Sequence, residues 1–565
     1  MRRFLIVSFL LLLLLLPASI FAQNAGELVS GKYGMVVSAS AEASNVGVDI
    51  LRAGGNAVDA AVAVGFALAV TYPTAGNIGG GCYIIIRMAD GREAAIDARE
   101  TAPAAAFRDM YLDENGEVVT ERSLYGPLAA GVPGSVHGLL TALEAYGTLP
   151  RDTVMTPALR LATDGFPLHP RQARHFRLMR DEFSRYSQTL ATYTRVGVHY
   201  KNGETWRQPE LAQTLLRIRT QGMDGFYKGE TADRIVQAMQ DDGGLITHAD
   251  LASYKSIVRK PLHGRYRGHD VLSMPPSSSG GVALLQMLSM LESRKLHIPA
   301  GEDAATAHYM IESMRRVFAD RAMFLGDPAF YDVPVTRLLS REYCDSLYAS
   351  IDAGHATPSD EIRRSMLPPR EGEQTTHYSI IDRWGNAVSV TTTLNSSYGS
   401  MYVVPGTGFL LNNEMDDFSA RPGVPNQFGL LGGEANSIQP GKRMLSSMTP
   451  AIVTRDGRVV MITGSPGGST IITTVLHSIC NLIDGGMRVD DVVAASRFHH
   501  QWYPDVVRYE RGALNGVTLQ TLTDMGHAFQ EVPAIGRCDA IIAYPEKGVV
   551  EGCSDPRGYG AAAAE

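Results

Sequence analysis

The feature that most constrains this chain is an abrupt change of composition past its middle. Residues 356–374 hold Pro358, Pro368, Pro369, Gly372 and seven charged residues, with only Ile362, Met366 and Leu367 as large apolar side chains. Such a stretch buries too little to offset the entropy of ordering it, so it reads as a mobile, exposed linker. Strand signals begin at once after it. Residues 375–382 and 387–393 flank Arg383-Trp384-Gly385-Asn386, which carries turn chemistry. A linker running into the first residue of a strand suits proteolysis. If the Gln374–Thr375 bond is cut, Thr375 becomes N-terminal, its hydroxyl a nucleophile and its α-amine, with pKa about 7.7–8.0, a general base beside it. By composition alone the ordinary reading is favoured, because Thr at a strand start is commonplace.

Elsewhere the pattern alternates between helices and strands. Residues 42–52 and 57–70 read as helices, separated by Gly54-Gly55, and Gly79-Gly80-Gly81 opens a strand over 83–87 with a second near 94–97. Residues 139–324 read as mainly helical, with 304–324 the longest periodic stretch. After the linker come a third strand near 408–412, a hairpin of 449–454 and 459–463 about Asp456-Gly457, and a helix over 469–483. Helices, strands, helices and strands in this order predict a layered α/β protein with sheet on sheet and helices outside.

The N-terminus predicts export. Arg2 and Arg3 precede the apolar run 4–16, and Pro17-Ala18-Ser19 leads to Ala22-Gln23, the anatomy of a signal peptide over residues 1–22. An uncleaved anchor is the alternative. A periplasmic or secreted location follows from cleavage. The formal charge is −8 with pI about 6.0, and removing the signal leaves 49 basic against 59 acidic residues. That balance excludes the basic footprint of a nucleic-acid binder. With 45% hydrophobic and 19% charged residues the chain is neither collagen-like nor disordered.

Five cysteines are too few and too scattered for a disulfide scaffold or a zinc site. Cys538 and Cys553 flank a hairpin and either face each other across it or are two small buried residues. His377, two residues from Thr375, reads as structural rather than as part of a triad. His499-His500 reads as a pair of core or hydrogen-bonded side chains, since neighbours on a strand point to opposite sides. Residues 464–469 are Gly-rich but lack the Lys-Ser/Thr ending of a phosphate loop, and no G-x-S-x-G elbow occurs. No metal or cofactor is expected.

Thr375-Thr376-His377-Tyr378-Ser379 resembles the start of the small subunit of γ-glutamyltransferases (glutathione hydrolases), members of the N-terminal-nucleophile hydrolases. The resemblance extends through Gly55-Asn56-Ala57-Val58-Asp59-Ala60-Ala61, Gly79-Gly80-Gly81, 411–418 (LNNEMDDF), Leu445-Ser446-Ser447-Met448 and Gly464-Ser465-Pro466-Gly467-Gly468-Ser469. In this order and spacing the pattern is highly specific and covers essentially the whole chain after the signal. It implies a four-layer αββα sandwich built jointly by two chains from one precursor, a large subunit of 23–374 and a small catalytic subunit of 375–565. It further implies that Thr375 is the nucleophile in self-cleavage and turnover, that Thr393 supports it, and that Gly467 and Gly468 form the oxyanion hole. Arg99, with Ser446 and Ser447, would take the substrate α-carboxylate. Asn395, Glu414 and Asp417 would take the α-ammonium. In some bacterial relatives a loop after the Asp417 motif covers the pocket and carries a Tyr; here the corresponding loop, 422–433, has Phe428 instead.

The resemblance therefore implies an exported γ-glutamyl hydrolase and transpeptidase. Its partners would be glutathione and related γ-glutamyl donors, with water, amino acids or dipeptides as acceptors. An acylase for glutaryl or cephalosporin-type amides and a non-catalytic binder of γ-glutamyl peptides are the alternatives. The ammonium clamp counts against the first, and Thr375 with its adjoining linker against the second.

Overall fold

The computed structural model describes residues 26–195, 197–362, 375–421, 423–424, 426–427 and 429–565. The expected signal peptide and Phe428 lie outside the described residues. Two seven-stranded antiparallel sheets form the centre of the molecule. The first runs, in spatial order, Ala561–Ala564, Met35–Ser38, Thr376–Ile381, Ala387–Thr393, Gly81–Arg87, Glu93–Ala98 and Ile257–Arg259. The second runs Val29–Gly31, Val549–Ser554, Asp539–Tyr544, Arg458–Thr463, Ala451–Arg455, His269–Ser273 and Leu262–Tyr266.

The period-2 alternation of each strand sorts its side chains into two cores. Met35, Val37, Tyr83 and Ile85 of the first sheet meet Leu272, Ile452, Ile462 and Ile541 of the second in one buried layer. The alternate residues Val36, Ile84, Ile86, Val388 and Val390 turn outward onto the helices Ala41–Arg52, Ala57–Thr71 and Ser135–Tyr146. On the far side Val271, Ala451, Val453 and Met461 pack on Gly280–Leu291, Ala304–Phe324 and Thr470–Ile483. The result is helix, sheet, sheet, helix, as the resemblance implies. Ala57–Thr71 is buried along its whole length, which its Ala- and Val-rich sequence permits. Its start is fixed by a capping box in which Asn56 accepts from Asp59 N and Asp59 accepts from Asn56 N.

Both segments flanking Thr375 contribute strands to both sheets, so a cut before Thr375 would leave two chains sharing one set of cores.

Three expectations are corrected. Residues 408–412 form no strand: Gly406 and Gly408 have φ of +73° and +74°, which turns the backbone out of the extended region, and only an isolated Val403–Leu410 bridge remains. The mainly helical middle contains the edge strand Ile257–Arg259 and the hairpin Leu262–Tyr266/His269–Ser273, masked in sequence by the charged and polar residues of two sheet edges. The first part of the expected mobile linker is not exposed. Residues 356–362 are docked: Ser359 is buried, donates through Oγ to Trp502 O at 2.6 Å and through N to Asp505 at 2.8 Å, and Thr357 N donates to Glu312 at 3.2 Å. The buried charges of Glu312 and Arg315 capture this segment, a tertiary effect that composition does not carry. Residues 363–374 lie outside the described residues.

Cys553 pairs with Ala540 across the Asp539–Tyr544/Val549–Ser554 hairpin, so Cys538 lies two residues out of register with it. Both thiols are free and buried.

Candidate active site

The site is built on the end of the central hairpin of the first sheet. Thr376 pairs with Thr392, and continuing that register by one residue brings Thr375 opposite Thr393. Thr375 is buried, and its Oγ donates to Thr393 Oγ at 3.5 Å. Thr393 Oγ also accepts from Asn395 N at 2.8 Å. Asn395 has φ +76°, a left-handed conformation that Asn tolerates better than most residues, and its side chain donates to Asn413 O at 3.0 Å.

A residue that sequence reasoning missed holds this strand end. Asn77 donates through Nδ2 to Thr392 Oγ at 3.0 Å and Thr393 O at 2.8 Å, and accepts from Gly80 N and Ser135 Oγ. The triple glycine beside it is a matter of space. A Cβ on Gly80 would lie 2.1 Å from Thr393 O, and one on Gly81 2.4 Å from Glu100 Oε2.

Arg99 lies at the end of the Glu93–Ala98 strand, fully buried. Its guanidinium meets Glu414 at 2.6 Å, Glu100 at 3.5 Å and Asp417 through Nη2. Its Nε donates to Met444 O at 3.2 Å. Burial alone would lower the Arg99 pKa, but Glu414, Glu100 and Asp417 raise it. Burial pushes the Glu100 carboxyl up to about 7 against the pull of Arg99, and Glu414 and Asp417 are raised for the same reason. Three crowded carboxylates around one cation make this corner of the site receptive to a second cation.

Opposite it stand the serines. Ser446 Oγ accepts from Met448 N at 3.1 Å, and Ser447 Oγ accepts from Arg321 Nη2 at 3.2 Å. Arg321, from the long helix Ala304–Phe324, is a second residue that sequence reasoning missed. An Arg on a polar stripe of a helix gives no signal of its own.

Gly464–Ser469 forms the remaining wall. A Cβ at Gly464 would strike the His377 ring at 2.3 Å. Gly467 and Gly468 have φ of +127° and +54°, and the carbonyl of Gly467 is tied to Thr470 N and Oγ at 2.9 and 2.7 Å. Among the described residues neither glycine N–H donates a hydrogen bond within the protein. Donors left open in this way are what an oxyanion hole requires.

Of the ten residues expected to catalyse or bind, nine line one cavity: Thr375, Thr393, Gly468, Arg99, Asn395, Glu414, Asp417, Ser446 and Ser447; the tenth, Gly467, adjoins Gly468 in the chain and is not among its lining residues. Leu430, Met448 and Ile471 supply its apolar wall. Its free volume is about 20 Å³, with the Arg99 ion pairs closed across it.

The Gamma-glutamyltranspeptidase family model matches residues 43–565. This chain belongs to that family. It is 48% identical to the glutathione hydrolase proenzyme of Escherichia coli, over 94% of this chain and 91% of that relative. Among solved structures it is similar to a cephalosporin acylase from Bacillus halodurans, with TM-score 0.84 and 28% identity, covering 98% of this chain and 99% of that one. It is also similar to the gamma-glutamyltranspeptidase of Helicobacter pylori, with TM-score 0.56 and 42% identity, covering 57% of this chain and 93% of that one. The fold is that of the N-terminal-nucleophile hydrolases, to which these family members conform.

His377 is no part of the γ-glutamyltranspeptidase cavity. Its ring bonds to Thr391 and Ser379 hydroxyls, each at 3.0 Å. His499 bonds to Thr473 and Gln501, and His500 to Asp505. All three are buried and structural, as read from the sequence. Among the described residues no helix is long and apolar enough to cross a membrane.

Proposed function

We propose that the protein is an exported γ-glutamyl hydrolase and transferase, made as a precursor that cuts itself before Thr375. The observation that carries this reading is one cavity holding Thr375 at a strand end together with a cluster suited to both charges of an amino-acid head.

In maturation, the Thr375 hydroxyl attacks the carbonyl carbon of Gln374. As the ester to Thr375 Oγ forms, the C–N bond breaks and the Thr375 α-amine is freed with a proton; water then hydrolyses the ester, releasing the Gln374 carboxylate and restoring the hydroxyl. The chains 23–374 and 375–565 stay together through their shared cores. In turnover, the hydroxyl attacks the γ-carbonyl of glutathione or a related donor, and the α-amine accepts its proton. The N–H groups of Gly467 and Gly468 stabilise the oxyanion, a contribution typically worth about 3–4 kcal/mol per donor. The departing amine takes up a proton, leaving a γ-glutamyl ester on Thr375 that water or an amino acid or dipeptide resolves.

Recognition exchanges one set of ion pairs for another. Arg99 turns from Glu414 and Asp417 toward the α-carboxylate, joined by Ser446 and Ser447. The freed carboxylates and Asn395 receive the α-ammonium. Because the clamp reads the head alone, the leaving group is lightly specified. The signal peptide supports release to the periplasm or medium.

A second reading, an amide acylase, is favoured by the likeness to the B. halodurans acylase. A glutaryl donor has no ammonium, however, and would leave Glu414 and Asp417 without a ligand. The deciding experiment compares γ-glutamyl and glutaryl anilides on protein that runs as two chains on a denaturing gel. Preference for the glutaryl donor would overturn the γ-glutamyl reading.

A further inference from the structure

Arg321 is a buried guanidinium whose hydrogen bonds go to two hydroxyls. Nε donates to Ser279 Oγ at 3.0 Å and Nη2 to Ser447 Oγ at 3.2 Å. Its helix neighbours Arg315 and Arg316 are both ion-paired to Glu312. Among the described residues Arg321 has no ion pair, and Asp417 acts on it only at longer range. Burial lowers its pKa to about 10, so it remains a cation at neutral pH. A buried cation with no carboxylate in ion-pair contact is expensive and needs a reason.

The direction of the hydrogen bonds supplies one. A guanidinium only donates, so Ser447 Oγ is held as an acceptor and its own proton is left over. Ser446 Oγ likewise accepts from Met448 N. Among the described residues neither serine hydroxyl donates within the protein, and both line the cavity. Arg321 also reaches Ser446 indirectly, since Ser279 Oγ donates to Ser446 O at 2.7 Å. Arg99, by contrast, already faces three carboxylates. A ligand carboxylate placed between them would add to a negative cluster unless positive charge came from elsewhere.

We propose that Arg321 is a positioning residue for the carboxylate subsite. It presets Ser447 as a donor, steadies the Ser446 backbone through Ser279, and supplies from behind them the charge that a substrate α-carboxylate balances. This role rests on the γ-glutamyl reading of the cavity.

The test compares two anilide donors, γ-glutamyl and 4-aminobutanoyl, which differ only in the α-carboxylate. Arg321→Gln is expected to raise KM for the γ-glutamyl donor about tenfold or more with a smaller change in kcat, and to leave kcat/KM for the 4-aminobutanoyl donor within about twofold. Arg321→Lys, which keeps the charge but not the fork, should recover part of the loss. If Arg321→Gln does not accumulate, Arg321→Lys is combined with Ser447→Ala. Because Arg321 acts through Ser447, the two losses should be less than additive. Equal losses on both donors, or fully additive losses in the double variant, would overturn the role of Arg321 while the γ-glutamyl reading stands. Equal use of both donors by the parent enzyme would overturn the reading and this role together.

Discussion

The Thr375 and Thr393 hydroxyls lie 3.5 Å apart at facing ends of adjacent antiparallel strands, one residue beyond the last ladder pair. Thr393 is the better anchored of the two. Its oxygen also accepts from Asn395 N, and its strand end is clamped by Asn77. The pair therefore joins the proposed nucleophile to a residue fixed from three sides.

Thr375→Ala should give a folded, uncleaved and inactive precursor, because one hydroxyl serves both self-cleavage and turnover. Thr375→Ser keeps the hydroxyl and should retain some processing. Denaturing gels and N-terminal sequencing check this. A small chain beginning at any other residue would remove Thr375 from its role.

Thr393→Val preserves the shape and removes the hydroxyl. A neutral hydrogen bond contributes about 0.5–1.5 kcal/mol net, so self-cleavage and kcat should each slow by up to about tenfold, with KM little changed. Rates of precursor loss and of donor turnover, measured on one preparation, test whether the two fall together. A Thr393→Val enzyme with unaltered rates would show that Thr375 needs no support from this side.

Arg99 and Asp417 should report on opposite ends of the substrate head. Arg99→Lys keeps the charge but loses bidentate geometry, so KM should rise before kcat falls. Asp417→Asn should narrow the preference for γ-glutamyl over glutaryl donors. An unchanged preference in Asp417→Asn would place the ammonium elsewhere.

His377 carries a pH signature distinct from catalysis. Burial holds its folded pKa down to about 3, against about 6.5 in an unfolded chain. Between those values the unfolded chain binds a proton that the native protein does not, so acidification costs the parent about 1.4 kcal/mol per pH unit at this residue. His377→Gln can still bond to Ser379 and Thr391 but removes that term. The stability difference between variant and parent should therefore shift toward the variant as pH falls from about 6 to 4, as read by denaturant unfolding at each pH. A difference independent of pH would mean that His377 is protonated in the fold.

Much of this molecule was legible in its sequence because the signals are local. The strand signals of 375–382 and 387–393, the Asp456-Gly457 turn and the Gly54-Gly55 break ahead of Ala57–Thr71 each act within a few positions. The nine cavity residues were named from motif order, which records a shared site without stating its geometry. What the tertiary structure alone decided was long-range. The docking of 356–362 depends on charges from a helix some forty residues earlier and a turn well over a hundred later. The edge strand Ile257–Arg259 and the hairpin of 262–273 gain their partners in Glu93–Ala98 and Ala451–Arg455 only when the sheets assemble. Asn77 reaches Thr393 across 316 positions, and Arg321 reaches Ser447 across 126. Hydrogen bonds and ion pairs of that span leave no period in the sequence, because their direction is set by how the layers pack.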